Sequence, residues 1–106
     1  MTTFDKREEG FEKKFALDEE QKFKAGARRN KLLGLWAADR QGMSGDAASA
    51  YAREIISADF DEAGHGALRK VTADLGAKGI AITEEQIRAK MDELMLLAVA
   101  QVKAGT

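Results

Sequence analysis

The chain contains no cysteine and no proline, and it has a single histidine, His65. Without cysteine, a disulfide framework and a thiolate site are both excluded. The single histidine also excludes a metal site with two histidine ligands from one chain. Because proline is absent while alanine, leucine, lysine and glutamate dominate, the composition favours helices.

Neither sign of charge is in excess, because 17 lysine and arginine residues are balanced by 18 aspartate and glutamate residues, for a net charge of −1 at pH 7. Such a balance gives no overall field for nucleic acid or an anionic membrane. The N-terminus has no apolar run after its first basic residues, and no stretch approaches the ~20 apolar residues of a spanning helix. With 106 residues, the chain is predicted to form one soluble, cytoplasmic domain.

Aromatic residues are also few, yet four of the five phenylalanines lie in the first 23 residues. In a helix, Phe4, Phe11 and Phe15 would fall within about 40° of one another and form a narrow aromatic stripe between charged faces. Gly10 costs such a helix about 1 kcal/mol relative to alanine, and isolated helices of this length are marginal in water. We therefore expect residues 1–17 to form an arm that is largely disordered when free.

The aromatic stripe stops after Phe15, since the positions that would extend it are Asp18, Glu19 and Lys22. The phenylalanines either fold back onto the domain or bind a separate partner, and the polar break favours a partner. Burying three of them yields at most roughly 5–9 kcal/mol, whereas ordering some 15 residues costs about 1–2 kcal/mol each. The partner must supply further packing and polar contacts, which favours a deep groove or a cleft between subunits.

After the arm, one long helix is predicted from Asp18 to Gln41, with Gly42 ending it in the left-handed conformation. Its apolar residues are predicted to form the buried side; they are Ala25, Leu32, Leu33, Leu35 and Trp36. Its basic residues Arg28, Arg29 and Lys31 are predicted to stay in solvent.

A second helix is predicted from Ala47 to Ala63, with either Ser44 or Asp46 as its cap. Apolar residues at helical spacing define its predicted buried face, namely Ala47, Tyr51, Ile55, Ile56, Ala58 and Phe60. The glycines on either side of His65, Gly64 and Gly66, predict a tight corner.

Two further helices complete the pattern. A short one, from Ala67 to Ala77, carries Leu68, Val71 and Leu75 on one face, and the segment Ile80 to Ile82 is predicted to be a buried connection. Thr83 and Gln86 have the spacing of a capping box, which starts the last helix. That helix is predicted to run to Lys103 with a core stripe of Ile87, Met91, Leu94, Met95, Ala98 and Val102. The fold class is therefore all-α, a four-helix bundle of residues 18–106 with a mobile N-terminal arm.

The sequence disfavours both metal sites and catalytic sites. Asp59, Asp61 and Glu62 lie near His65, but they lack the spaced oxygen ligands of a calcium loop, so we interpret them as an acidic helix end. No pair of carboxylates has an apolar setting, and no serine has a histidine at a plausible turn. We expect neither a catalytic nor a metal site.

The strongest basic cluster is Arg28, Arg29 and Lys31. The favoured interpretation is a solvated helix face. The alternative is a contact with a partner or with the phosphate of a weakly bound adenine nucleotide, and no other cofactor is expected. Because aromatics are not interleaved with these cations, nucleic-acid binding is disfavoured.

Several segments together resemble the zeta-subunit family of alphaproteobacterial F-type ATP synthases, which are ATPase inhibitor proteins. The most specific are FDKRE from Phe4, FEKKF from Phe11, and RRNKLLGLWAA from Arg28. The similarity continues through ADFDEAG from Ala58 and covers nearly the whole length.

The resemblance implies a mobile inhibitory arm that becomes helical inside the catalytic head of the synthase. There it would wedge between a catalytic beta and a non-catalytic alpha subunit, near the gamma shaft, and block rotation in the hydrolytic direction. The protein would then sit at the cytoplasmic face of the inner membrane without inserting into it. Trp36 and the first helix would hold the arm at the right height.

On this interpretation Phe4, Phe11 and Phe15 anchor the arm. Charged neighbours set its register; they are Asp5, Lys6, Arg7, Glu8, Glu9, Glu12, Lys13 and Lys14. The competing hypotheses are a helical adaptor whose arm binds some other protein, and a nucleotide-sensing bundle that uses the basic cluster.

Overall fold

The computed structural model describes residues 17–62 and 65–105, and within these ranges the chain is helical with no strand. The helices are α1 (Glu19–Arg40), α2 (Gly45–Asp61), α3 (Gly66–Ala77) and α4 (Glu84–Lys103). All four predicted helices are therefore confirmed, and so is the all-α class. The predicted arm, except for Leu17, lies outside the described residues, as does Gly64 of the predicted corner.

Local capping explains where α1 and α4 begin. The Thr83 hydroxyl accepts a hydrogen bond from the Gln86 amide at 3.1 Å, while the Gln86 side chain accepts one from the Thr83 amide at 2.9 Å. Asp18 and Gln21 make the same reciprocal pair at the start of α1, at 2.7 and 3.2 Å. Both boxes satisfy amides that an uncapped helix end leaves unpaired. The predicted box at Thr83 is confirmed; the box at Asp18 was not predicted.

The four helices form a closed ring of neighbours. α1 packs extensively against α2 and α4, α2 packs against α3, and α3 packs against α4. The largest fully buried side chains are Leu33, Ile55, Val71, Leu75 and Ile87, so every helix contributes to one core. As far as the described residues go, none of these helices has the length and apolarity needed to cross a bilayer.

The predicted buried face of α2 is partly wrong. Tyr51 and Ile55 are buried, but the same face continues through Ala48 and Ala52. Ala47 is exposed, and Phe60 is 79% exposed. The inward positions are therefore 48, 51, 52, 55 and 59, a spacing that rotates Phe60 about 100° away from the core.

The predicted buried face of α1 is confirmed for two of its five residues and only partly for the other three. Leu33 and Ala25 are fully buried, whereas Leu32, Leu35 and Trp36 are only half-buried. Gly34 takes the closest position to α2: a Cβ placed there would lie 2.6 Å from the Ala52 Cα atom. The two helices can approach this closely because neither carries a large side chain at the crossing.

Three further predictions concern α3, the connection before α4 and the end of α1. Val71 and Leu75 are buried and Leu68 is half-buried. The connection before α4 is less buried than predicted, because Ala81 is exposed while Ile80 and Ile82 are half-buried. Gly42 has φ 82°, which confirms the left-handed end of α1.

A polar contact joins α2 to α3 beside the core. The Tyr51 hydroxyl donates to Asp74 at 2.8 Å, and Lys70 pairs with the same carboxylate at 3.0 Å. Burial, helped by the hydrogen bond to Asp74, raises the pKa of Tyr51 well above its ordinary value. The tyrosine therefore stays a neutral donor, which suits a mostly buried position.

Candidate functional site: the arm end of the bundle

The predicted arm joins the bundle at the first turn of α1. Only Asp18, the cap residue, separates Leu17 from Glu19, where the helix begins. Phe23 follows four residues later, about 6 Å along the axis. The surface around these first turns is consequently the part of the described bundle nearest to Leu17, to which the predicted arm is attached.

Two exposed phenylalanines stand out on this surface. Phe23 of α1 is 70% exposed, and Phe60, at the last turn of α2, is 79% exposed. Both line one groove of about 210 Å³ between α1 and α2, which we call the Phe groove. Its other lining residues are Lys22, Gly26, Ala27, Asn30, Ile56 and Asp59.

The charges near the groove are paired along the helix. Lys22 lies 3.6 Å from Glu19, and Lys24 lies 3.1 Å from Glu20. These pairs are exposed, so each contributes at most about 1 kcal/mol to stability. They leave the first two turns of α1 close to electrical balance, and the apolar groove is the dominant feature of this end.

A polar cluster lies beside the groove, and two of its members, Asn30 and Asp59, belong to the groove lining. The Asn30 amide donates to Asp59 at 3.0 Å, and the Arg29 guanidinium lies 3.6 Å from the same carboxylate. The Arg29 Nε atom also donates to the Asn30 oxygen at 3.1 Å. The second oxygen of Asp59 accepts from the Ala67 amide at 3.2 Å.

Asp59 therefore connects three helices. It lies at the end of α2, pairs with α1, and caps the first turn of α3, where His65 supplies no side-chain cap. Asn30 is the buried polar residue of the described core, and no buried side-chain polar atom in the described ranges lacks a partner. Asp59 thus replaces the apolar contact that Phe60 was predicted to make.

The basic cluster does not present a single surface. Arg28 is half-buried and donates to Gln101 of α4 at 3.3 Å, Arg29 turns inward to Asp59, and Lys31 is exposed. Of the three, Lys31 alone is exposed as predicted. Arg28 is half-buried against α4, and Arg29 points inward because it lies four residues from both Ala25 and Leu33 on the core face. A contact of this cluster with a nucleotide or a partner stays a prediction.

A second groove, of about 530 Å³, lies on the other side of Phe23. It is lined by Gln21, Phe23, Lys24, Ala27, Arg28, Lys31, Ile56, Val102 and Gly105. Phe23 therefore forms a ridge between two surface depressions at the arm end.

Two of the three acidic residues near His65 make contacts within the bundle. Asp59 binds Asn30, Arg29 and the Ala67 amide, and Glu62 pairs with Arg69 of α3 at 3.1 Å. His65 is exposed at the cap position of α3. Within the described part of the chain, no three histidine, aspartate or glutamate side chains are grouped to hold a metal ion.

Trp36 lies far from the arm end, about 25 Å along α1 from Glu19. The centroid of its ring lies 5.2 Å from the Arg40 guanidinium carbon and 5.9 Å from the Lys90 ammonium nitrogen of α4. The tryptophan therefore helps to fix α1 against α4, through packing and cation–π attraction.

Comparison with known proteins agrees with this architecture. A solved solution NMR structure is 52% identical in sequence, with a TM-score of 0.68, and the match covers 79% of this chain and 96% of that one. Among curated proteins, none matches the chain.

The sequence pattern of a regulatory protein family, ATPase inhibitor subunit zeta, matches residues 1–101. The match includes the arm, all of α1 to α3 and most of α4, well over half of the chain. A match of this extent indicates a role in inhibiting the ATPase of the synthase, and hence an interaction with the synthase. The chain belongs to the ATPase inhibitor subunit zeta family.

Proposed function

We propose that this protein inhibits ATP hydrolysis by the F-type ATP synthase through its N-terminal arm, residues 1–17. The arm inserts as a helix between an alpha and a beta subunit of the catalytic head, near gamma, and blocks rotation in the hydrolytic direction. The observation that carries the proposal is the family match over residues 1–101, which begins with the arm.

The arm and the bundle have separate roles in this mechanism. A helical arm of 17 residues would reach about 26 Å, and Phe4, Phe11 and Phe15 would anchor its apolar side in the cleft. The charged residues would set its register against the subunits; they are Asp5, Lys6, Arg7, Glu8, Glu9, Glu12, Lys13 and Lys14.

The bundle would act as a stop. Its four helices share one core, and the capping box at Asp18 fixes the residue at which the rigid part begins. A body of this width cannot follow a single helix into a cleft between subunits. The depth of insertion would therefore be set by the arm's length, with the bundle held at the cytoplasmic face of the inner membrane through the synthase.

The first test replaces the anchors, Phe11→Ala together with Phe15→Ala. We expect the concentration for half-maximal inhibition of ATP hydrolysis to rise about 100-fold or more, because truncating two buried aromatic anchors each costs on the order of 2 kcal/mol. The measurement is ATP hydrolysis by synthase heads depleted of the native subunit.

The matched control is Thr2→Ala together with Thr3→Ala, two changes in the same arm outside the proposed contacts. This variant should inhibit like the wild type. Inhibition of wild-type strength by the phenylalanine variant would show that Phe11 and Phe15 are not anchors.

A further inference from the structure

We infer that Phe23 and Phe60 form a second contact surface, which packs against an apolar surface of the ATPase at the entrance of the cleft that takes the arm. This inference rests on the proposed function, since it concerns the same partner. It differs from it in assigning part of the binding to the bundle.

Exposure of the two rings is the first observation. At 70% and 79% exposure they are the most exposed large hydrophobic side chains in the described part of the chain. Single exposed apolar residues are common on proteins, but apolar residues grouped within a polar rim mark interaction sites. Phe23 and Phe60 come from different helices and line the same groove, together with Ala27 and Ile56.

The groove is also held rigidly, which lowers the cost of binding. Asp59 directly precedes Phe60 and is hydrogen-bonded to Asn30 of α1 at 3.0 Å. Phe23 lies within α1, one turn after the Asp18 capping box. The backbone positions of both rings are thereby fixed relative to the point where the arm leaves the bundle.

The position of the groove identifies its occupant. Two residues of chain span at most about 7 Å, and Asp18 alone links Leu17 to the first residue of α1. When the arm is seated in a cleft, the first turns of α1 must lie at the entrance of that cleft. Phe23 is about one turn from the junction, and Phe60 is its neighbour across the groove.

The chemistry of the occupant follows from the rim. Lys22 is paired with Glu19, and Asp59 is paired with Asn30 and Arg29, so the charged residues of the groove lining offer little unbalanced charge to attract an ionic partner. The fitting surface is an apolar or aromatic one. A fold-back of the arm onto the groove and a second copy of this chain are the two other occupants, and each gives a different experimental result.

The experiment uses the intact chain carrying Phe23→Gln and Phe60→Gln. Glutamine keeps the helix propensity of both positions, and exposed side chains can be replaced with little change in stability. We expect an unchanged melting temperature and a rise of about tenfold or more in the concentration for half-maximal inhibition, as expected when aromatic interface residues are lost.

The matched control is Leu96→Gln with Leu97→Gln. These leucines are 66% and 46% exposed on α4 and lie outside the Phe groove, so this variant should inhibit like the wild type. Each phenylalanine is also replaced singly, and each single variant should lie between the wild type and the double variant.

Three results would overturn the inference. Unchanged inhibition by the double variant would show that the groove does not touch the ATPase. Stronger inhibition would show that the arm docks on the groove in the free protein and is released by the change. A dimer of the wild-type chain in solution that Phe23→Gln and Phe60→Gln convert to a monomer would assign the groove to a second copy.

Failure of the inference can be told apart from failure of the proposed function. If the groove variant inhibits normally while Phe11→Ala with Phe15→Ala does not, only the second contact is wrong. If a chain lacking Met1 to Leu17 inhibits as strongly as the intact chain, the proposed role of the arm itself is wrong.

Discussion

Replacing Gly34 with alanine is expected to lower the free energy of unfolding by about 1–3 kcal/mol, the usual cost of overpacking a core. The added Cβ would lie 2.6 Å from the Ala52 Cα atom and 3.1 Å from its Cβ atom. Because the nearest obstacle is backbone, no side-chain rotation can relieve it. Helices α1 and α2 would have to separate, which would weaken the packing of Ile55 beside the crossing. Urea unfolding followed by circular dichroism measures the change.

The chain supplies a matched control on the same helix. Gly26 also lies within α1, but a Cβ there would meet nothing within 4 Å. Gly26→Ala should therefore raise stability by about 0.5–1 kcal/mol, because alanine is the better helix former. If both substitutions were stabilising, the close approach of α1 and α2 at Gly34 would be wrong.

Replacing Asp59 with alanine is expected to cost about 2–4 kcal/mol of stability. The change removes the partner of the buried Asn30 amide, the nearest anion to the mostly buried Arg29, and the acceptor for the Ala67 amide. Three groups on two other helices would lose hydrogen bonds or charge at once. Thermal melting would show the loss as a fall of roughly 4–8 °C per kcal/mol for a domain of this size.

The control for this change is Asp61→Ala, two residues further along α2. Asp61 is exposed, so its removal should change stability by no more than about 0.5 kcal/mol. Asp59→Asn, which keeps an oxygen acceptor but not the charge, should fall between the two. Equal effects of Asp59→Ala and Asp61→Ala would refute the role of Asp59 as the link between three helices.

The start of α4 and the end of α1 are predictable because local signals determine them. The capping pair at Thr83 and Gln86 identifies the start of α4 from four residues alone, and Gly42 identifies the end of α1 by its preference for positive φ. Such signals act within one turn of the chain. They require no knowledge of which helices become neighbours.

The orientation of α2 could not be predicted in the same way. Alanine suits either a buried or an exposed position, so faces through Ala47 and Ala48 both fit a helical period. Phe60 favoured the first, since a phenylalanine is usually more buried than an aspartate. The second is observed because Asp59 finds Asn30, Arg29 and the Ala67 amide, partners from distant parts of the chain.

The inward position of Arg29 could have been predicted from the sequence. It lies four residues after Ala25 and four before Leu33, both fully buried, so helical spacing alone places it inward. Its charge led to the opposite prediction, because an unpaired buried arginine is costly. Gly34 is a different case, because Gly26 lies in the same helix with no neighbour within 4 Å of an added Cβ, so the sequence does not show which of the two glycines marks the crossing with α2.

One part of the candidate site could be predicted from the sequence, and the other part could not. The aromatic stripe of Phe4, Phe11 and Phe15 is visible in the sequence, and the polar break after Phe15 favours a separate partner. The identity of that partner comes from the family rather than from geometry, since residues 1–16 lie outside the described ranges. The Phe groove is the reverse case. Phe23 and Phe60 lie 37 positions apart in the sequence, and only the packing of α1 on α2 brings them to one surface.

The most direct measurement is a titration of ATP hydrolysis by synthase heads depleted of this subunit. One series uses the intact chain and the other a chain lacking Met1 to Leu17, whose four helices should remain folded by circular dichroism. We expect inhibition by the intact chain and none by the shortened chain at the same concentrations. Full inhibition by the shortened chain, or none by either, would contradict the proposal that the arm is the inhibitory element.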